Sequence, residues 1–242
     1  MINDVSIEPK DGKKPEYVVI FFHGLGSSGA SMQQWAGGLL SPHLPTAKLV
    51  FPDGPLEFGQ DGEGNKYYSW FPIKDLLDGD KAPDKAEIGR RATLAAKDMN
   101  AYIDEVLKRE GISEDKLIIA GFSMGGTMAV YTALQRNTPV AGVYALSGGA
   151  LELENIGPVK SMPPIGLVAG ALEQQDYSGA PHAQKVHQAF DKAGFFADCV
   201  IVPEQKHEIS PKSMELLAVF TRAVTGEPFK AKQAAARKPP AP

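Results

Sequence analysis

Six short runs along this chain are rich in apolar, β-branched or aromatic residues, and helical patterns separate them. The predicted strands are Tyr17–Phe22, Lys48–Phe51, Leu117–Gly121, Val140–Leu146, Ile165–Ala169 and Cys199–Val202, with a weaker one at Val5–Glu8. A strand wet on one face alternates apolar and polar residues. A run such as Tyr-Val-Val-Ile-Phe-Phe does not, so both of its faces must be covered. The clearest helical pattern runs from Lys85 to Glu110, with Ile88, Ala92, Ala95, Met99, Ile103, Val106 and Leu107 on one face and Gly111 as its stop. Others begin near Ser31, just after Ser123, near Ala183 and near Pro211. Strand alternating with helix over the whole length means α/β, with a mainly parallel sheet and right-handed crossovers.

The 242 residues show no internal repeat and no interdomain linker, so one domain over 1–228 is expected. The remainder, 229–242, is basic and rich in Ala and Pro, the composition of a disordered tail. One further region breaks the alternation. Residues 52–84 are rich in Gly, Asp, Pro and aromatics and read as a long connection without secondary structure of its own. Its exposed apolar residues could serve a second copy of the chain, as a homodimer, or a lipid-like substrate.

A net charge of −4 and the absence of a basic stripe argue against nucleic acid as a partner. The lone cysteine, Cys199, can form no intrachain disulfide and reads as a buried strand thiol. No stretch approaches 18 apolar residues and the N-terminus has no apolar leader, so neither an integral membrane segment nor a secretion signal is expected and cytoplasmic is the default.

Chemistry concentrates in Gly121-Phe-Ser-Met-Gly-Gly126. A predicted strand leads into this G-x-S-x-G and a predicted helix leads out, the setting of a nucleophile elbow. Close packing explains the glycines but not the serine, so Ser123 is the candidate nucleophile. A hydroxyl near neutral pH needs a base. Among five histidines, His207 follows the last predicted strand, where the chain order Ser, acid, His requires it. His43 reads as a turn residue, and His182 and His187 as exposed helix residues. His23, ending the first long strand, shapes a loop and is a candidate on the substrate side. The acid belongs after Ile165–Ala169, where both Glu173 and Asp176 qualify. Aspartate is the usual residue in this role, whereas Glu173 lies nearer the strand end. The oxyanion donors expected are the backbone N–H groups of Met124 and of Leu25, in a loop whose Gly24 and Gly26 allow close approach. No phosphate-loop pattern and no metal-ligand spacing is present, and this chemistry calls for no cofactor or metal.

With these pieces placed, the sequence resembles the phospholipase/carboxylesterase family of α/β-hydrolases, which includes the acyl-protein thioesterases. The resemblance runs from about Ile7 to Val224 and rests on F-F-H-G-L-G (21–26), F-P-D-G-P (51–55), S-W-F (69–71), G-F-S-M-G-G (121–126), L-S-G (146–148) and a late K-H-E-I-S (206–210). It implies a single-domain α/β-hydrolase fold, Ser123 as nucleophile, His207 as base, and Leu25 with Met124 at the oxyanion hole. Trp70 matches an aromatic residue lining the substrate site. The chain departs from the family after the acid-bearing strand, where it reads A-G-A-L-E-Q-Q-D-Y. Strict spacing from Gly170 lands on Glu173; Asp176, the acid preferred, requires a loop three residues longer. The function expected is hydrolysis of a small-molecule carboxylic ester, with thioesters and lysophospholipids within reach. The alternative from another class is a catalytically impaired binding module on the same fold, favoured only by the altered acid loop.

Overall fold

A computed structural model describes residues 2–77, 84–173 and 178–226. Seven strands form the central sheet: β1 (Asp4–Ile7), β2 (Tyr17–Phe22), β3 (Ala47–Pro52), β6 (Leu117–Phe122), β7 (Gly142–Leu146), β8 (Ile165–Gly170) and β9 (Ala197–Val202). Their order is β1-β3-β2-β6-β7-β8-β9, with β1 antiparallel to β3 and every other pair parallel.

The apolar runs are explained by two cores. On one face Val18, Ile20, Phe22 and Ile119 pack against α4 (Lys85–Glu110), α5 (Met124–Leu134) and α6 (Ala180–Lys192). On the other, Tyr17, Val19, Phe21, Ile118 and Ala120 meet α1 (Gly29–Met32), α2 (Gly38–Leu40) and α7 (Pro211–Thr225). Successive side chains of one strand therefore feed opposite cores, and no polar face is left. Helix α5 sits so deep that every residue from Gly125 to Leu134 is buried, which is why its sequence has no polar stripe. Helix α4 has the expected limits: the Asp84 carboxylate caps the Ala86 N–H, and Gly111 ends the helix at φ +61°.

Three expectations are corrected. Residues 52–84 carry an antiparallel hairpin, β4 (Leu56–Gln60) with β5 (Lys66–Ser69), and a short helix α3 (Lys74–Leu77). The turn signal Asp61-Gly-Glu-Gly-Asn65 lies between its strands, but strands of four and five residues give too little alternation to read. Cys199 is only partly buried, because β9 is the sheet's edge strand. His182 is buried at the start of α6, its Nδ1 3.8 Å from the Glu152 carboxylate. The proposed tail lies outside the described residues. No helix among the described residues is long and apolar enough to cross a membrane.

Candidate active site

Parallel strands deliver their C-terminal ends to one edge of the sheet, and three loops meet there. The first leaves β6. Ser123 sits between β6 and α5 at φ +55°, ψ −122°, a conformation that costs a non-glycine residue on the order of 1–3 kcal/mol. Its glycine neighbours let the turn close. A Cβ on Gly121 would lie 2.2 Å from the Gly125 carbonyl oxygen, and one on Gly125 only 2.1 Å from that of Phe22. Serine is thus held at a sharp bend, at the amino end of a buried helix.

The second loop leaves β9 and carries His207; the third leaves β8 and carries Glu173. The two are zipped together by Ala171 N–H donating to Val202 O and Leu172 N–H to Gln205 O, both at 2.9 Å. Gly170 permits this, since a Cβ there would meet the Gln205 carbonyl oxygen at 2.2 Å. The result is a line of hydrogen bonds. His207 Nε2 lies 2.9 Å from Ser123 Oγ, and His207 Nδ1 lies 3.0 Å from Glu173 Oε2. A carboxylate only accepts, so it selects the tautomer with the proton on Nδ1 and leaves Nε2 to accept from the serine. The imidazole also stacks on Phe122, with ring centres 4.9 Å apart.

Of the two candidate acids, the carboxylate facing His207 is that of Glu173; Asp176 lies outside the described residues. Serines that sequence reasoning left without a role hold it. Ser147 Oγ donates to Glu173 Oε1 at 2.6 Å, the Gly170 N–H donates to the same oxygen at 2.6 Å, and Ser178 Oγ reaches Oε2 at 3.3 Å. Ser147 stands at φ +54°. The L-S-G string marked this residue but could not show where its hydroxyl points. Burial by itself would raise the Glu173 pKa. The hydrogen bonds from His207, Ser147 and Gly170 outweigh it and hold the carboxyl below its ordinary range.

The loop after β2 faces Ser123, with a Cβ on Gly24 placed 3.5 Å from that of Ser123. Two contacts fix this loop. His23 Nδ1 bonds its neighbour's carbonyl at Gly24 (2.7 Å) while Nε2 accepts the Gly54 N–H (2.9 Å). Gly26 and Ser27 pair with Tyr68 at the end of the hairpin that sequence missed. The Leu25 and Met124 N–H groups have no hydrogen-bond partner among the described residues. His23 and Trp70 are fully buried, stacked at 4.6 Å, with Trp70 Nε1 donating to His23 O. Their contacts anchor the donor loop. The apolar pocket beside Ser123 is walled instead by Leu25, Phe71, Ile73, Leu77, Ile88 and Met124. Among the described residues, no group of His, Cys, Asp and Glu could hold a metal ion.

Burial drives the pKa of His23 down to about 4, and that of His182 likewise to about 4 against the pull of Glu152. Both are neutral when folded at neutral pH and would titrate near pH 6.5 when unfolded. Below that pH the unfolded chain binds more protons, so stability is full above pH 6.5 and is lost as pH falls toward 4. For His23 the full window corresponds to roughly 3 kcal/mol. Urea melts at pH 7.5, 5.5 and 4.5 should show this decline, and a His182→Leu variant should make it shallower, with the His23 part retained. Stability independent of pH across that range would refute the assignment.

A family model described as Phospholipase/Carboxylesterase matches residues 3–225. Among curated relatives, "Acyl-protein thioesterase 1" of Mycosarcoma maydis is 33% identical over 151 residues, which cover 61% of this chain and 63% of that protein. The protein of the same name from Cryptococcus neoformans is 33% identical over 149 residues, covering 60% and 59%. The aligned part thus spans under two thirds of each relative. Among solved structures, esterase PE8 superposes with a TM-score of 0.79 at 24% identity, covering 92% of this chain and 99% of that one. Zea mays acyl-protein thioesterase 2 gives 0.66 at 23%, covering 93% and 99%. At these identities the superpositions show a shared fold.

Proposed function

Since the chain belongs to the phospholipase/carboxylesterase family, we propose that it is a serine hydrolase of carboxylic esters, with Ser123 as nucleophile, His207 as base and Glu173 as the acid behind it. The observation that carries this reading is the continuous hydrogen-bonded line from Glu173 through His207 to a serine on a strained elbow. Residues this far apart in sequence have no structural reason to align on one sheet edge with matched donors and acceptors.

His207 takes the Ser123 proton as Oγ attacks the ester carbonyl, and Glu173 stabilises the imidazolium that forms. The Leu25 and Met124 N–H groups receive the oxyanion, reinforced by the amino end of α5. His207 then returns its proton to the leaving oxygen, or sulfur for a thioester. Water attacks the acyl-enzyme by the reverse route. The acyl chain lies in the apolar pocket of Phe71, Ile73 and Ile88, and this permits lysophospholipids and acyl thioesters alongside simple esters. A reducing, cytoplasmic setting goes with a single, unpaired cysteine. The altered acid loop, which had favoured a non-catalytic binding module, is what supports Glu173 as the acid.

A fluorophosphonate probe should label the wild-type protein at Ser123, and p-nitrophenyl butyrate should be turned over. A protein that neither takes the label nor hydrolyses the ester is not a serine hydrolase.

A further inference from the structure

Two separate hollows lie near the Ser123–His207 pair, with no lining residue in common. One is the apolar pocket, lined by Ser123 itself with Leu25 and Met124. The other is an open cleft lined by Ser27, Ser31, Trp35, Phe122, Glu208 and Ile209. Phe122, Glu208 and Ile209 are chain neighbours of Ser123 and His207, and the Phe122 ring lies against the imidazole. The side on which His207 stands matters chemically. It must hand its proton to the departing atom, so the leaving group occupies the His207 side, and the acyl chain the other.

Two features of this second cleft call for explanation. Trp35 is 68% exposed, an unusual place for the largest side chain. It sits on a π-helical turn, Gln33–Gly37, whose Ala36 and Gly37 face inward while the indole faces out. A Cβ on Gly37 would come within 2.7 Å of the Ile7 side chain and 2.9 Å of Phe51, so the turn is pressed onto β1 and β3 and Trp35 has little latitude to turn in. Such turns are rare and cluster at functional sites. The other feature is Glu208, exposed, directly after the base and the one charged side chain among the described residues lining the cleft.

We propose that this cleft is the leaving-group subsite and that it selects an alcohol or thiol bearing a positive charge. The indole face attracts a cation through its quadrupole, and the Glu208 carboxylate adds a direct opposite charge. Ser27 and Ser31 supply hydroxyls at the rim. This rests on the serine-hydrolase reading above, because without an acyl-enzyme there is no leaving group to place.

The test compares butyrylthiocholine with its uncharged carbon isostere, S-(3,3-dimethylbutyl) thiobutyrate. Both form the same butyryl-enzyme, so deacylation is common to the two; the ammonium also makes thiocholine the better leaving thiol in wild type and variants alike, so the subsite is read from how the kcat/KM ratio changes between them. The wild-type protein should favour the cationic substrate about three- to tenfold. Glu208→Gln and Trp35→Ala should each bring the ratio toward one, and Glu208→Lys should invert it. Turnover of both esters at equal kcat/KM, or a ratio untouched by all three variants, overturns the subsite while leaving the hydrolase intact. No turnover of either ester, with no fluorophosphonate label, overturns the hydrolase and the subsite together.

Discussion

Ser123→Ala is expected to lower kcat for p-nitrophenyl butyrate by roughly 10⁵- to 10⁶-fold, with folding and far-UV circular dichroism retained. Removal of the hydroxyl leaves no atom to form the acyl-enzyme, while the oxyanion donors and the apolar pocket persist. Alanine is also no worse than serine at φ +55°, since both carry the same Cβ. His207→Ala should cost a similar factor, and the double variant barely more than either alone, because the two residues act as one unit. Single-turnover kinetics would separate loss of chemistry from loss of binding. A Ser123→Ala protein retaining more than about one per cent of wild-type kcat would place the nucleophile elsewhere.

The second large effect concerns the acid. Glu173→Gln should reduce kcat about 10⁴-fold, because an amide facing His207 can donate to Nδ1 and so stabilise the wrong tautomer. Glu173→Asp should fall between the two, since a side chain one methylene shorter cannot reach His207 and also keep the Ser147 and Gly170 bonds. Asp176→Asn is the comparison, with an expected change in kcat of less than about threefold when Glu173 is the acid. The carboxyl of Glu173 is held below its ordinary range, so it stays ionised at neutral pH and its charge is lost only as pH falls through that lowered value. A full-strength Glu173→Gln enzyme paired with a crippled Asp176→Asn one would show the acid to be Asp176.

The fold class could be read from the chain because its signal is local and redundant. Seven runs carry the pattern of strands, and most of them that of strands covered on both faces, so an error at one is outvoted by the rest. Helix α4 could be read because its repeating apolar face and its stop Gly111 are local devices, while its cap at Asp84 emerged from the structure. The hairpin β4–β5 could not, because its strands are short and it also pairs, through Tyr68, with Ser27 some forty residues earlier in the chain. The partners of Trp70 and His23 were equally out of reach of the sequence, beyond the expectation that His23 shapes a loop. An aromatic ring and an imidazole look like substrate contacts in a string of letters, and only packing shows that they face each other behind the site.

What the sequence determined by itself is the frame. Strand alternation set the parallel sheet, the elbow glycines set where a serine could be held, and chain order set which loop must carry the base. What only the tertiary structure shows is a carboxylate, that of Glu173, within hydrogen-bond reach of His207. Glu173 and Asp176 differ by three residues in one loop, and no local preference separates them. The choice of the residue facing His207 is made by groups distant in sequence: the Ser147 hydroxyl after β7 and the Gln205 carbonyl that locks the loop after β8 against that after β9. Local interactions choose conformations one segment at a time. The position of a carboxylate to within a hydrogen bond depends on how three segments pack, and that information is spread over the whole chain.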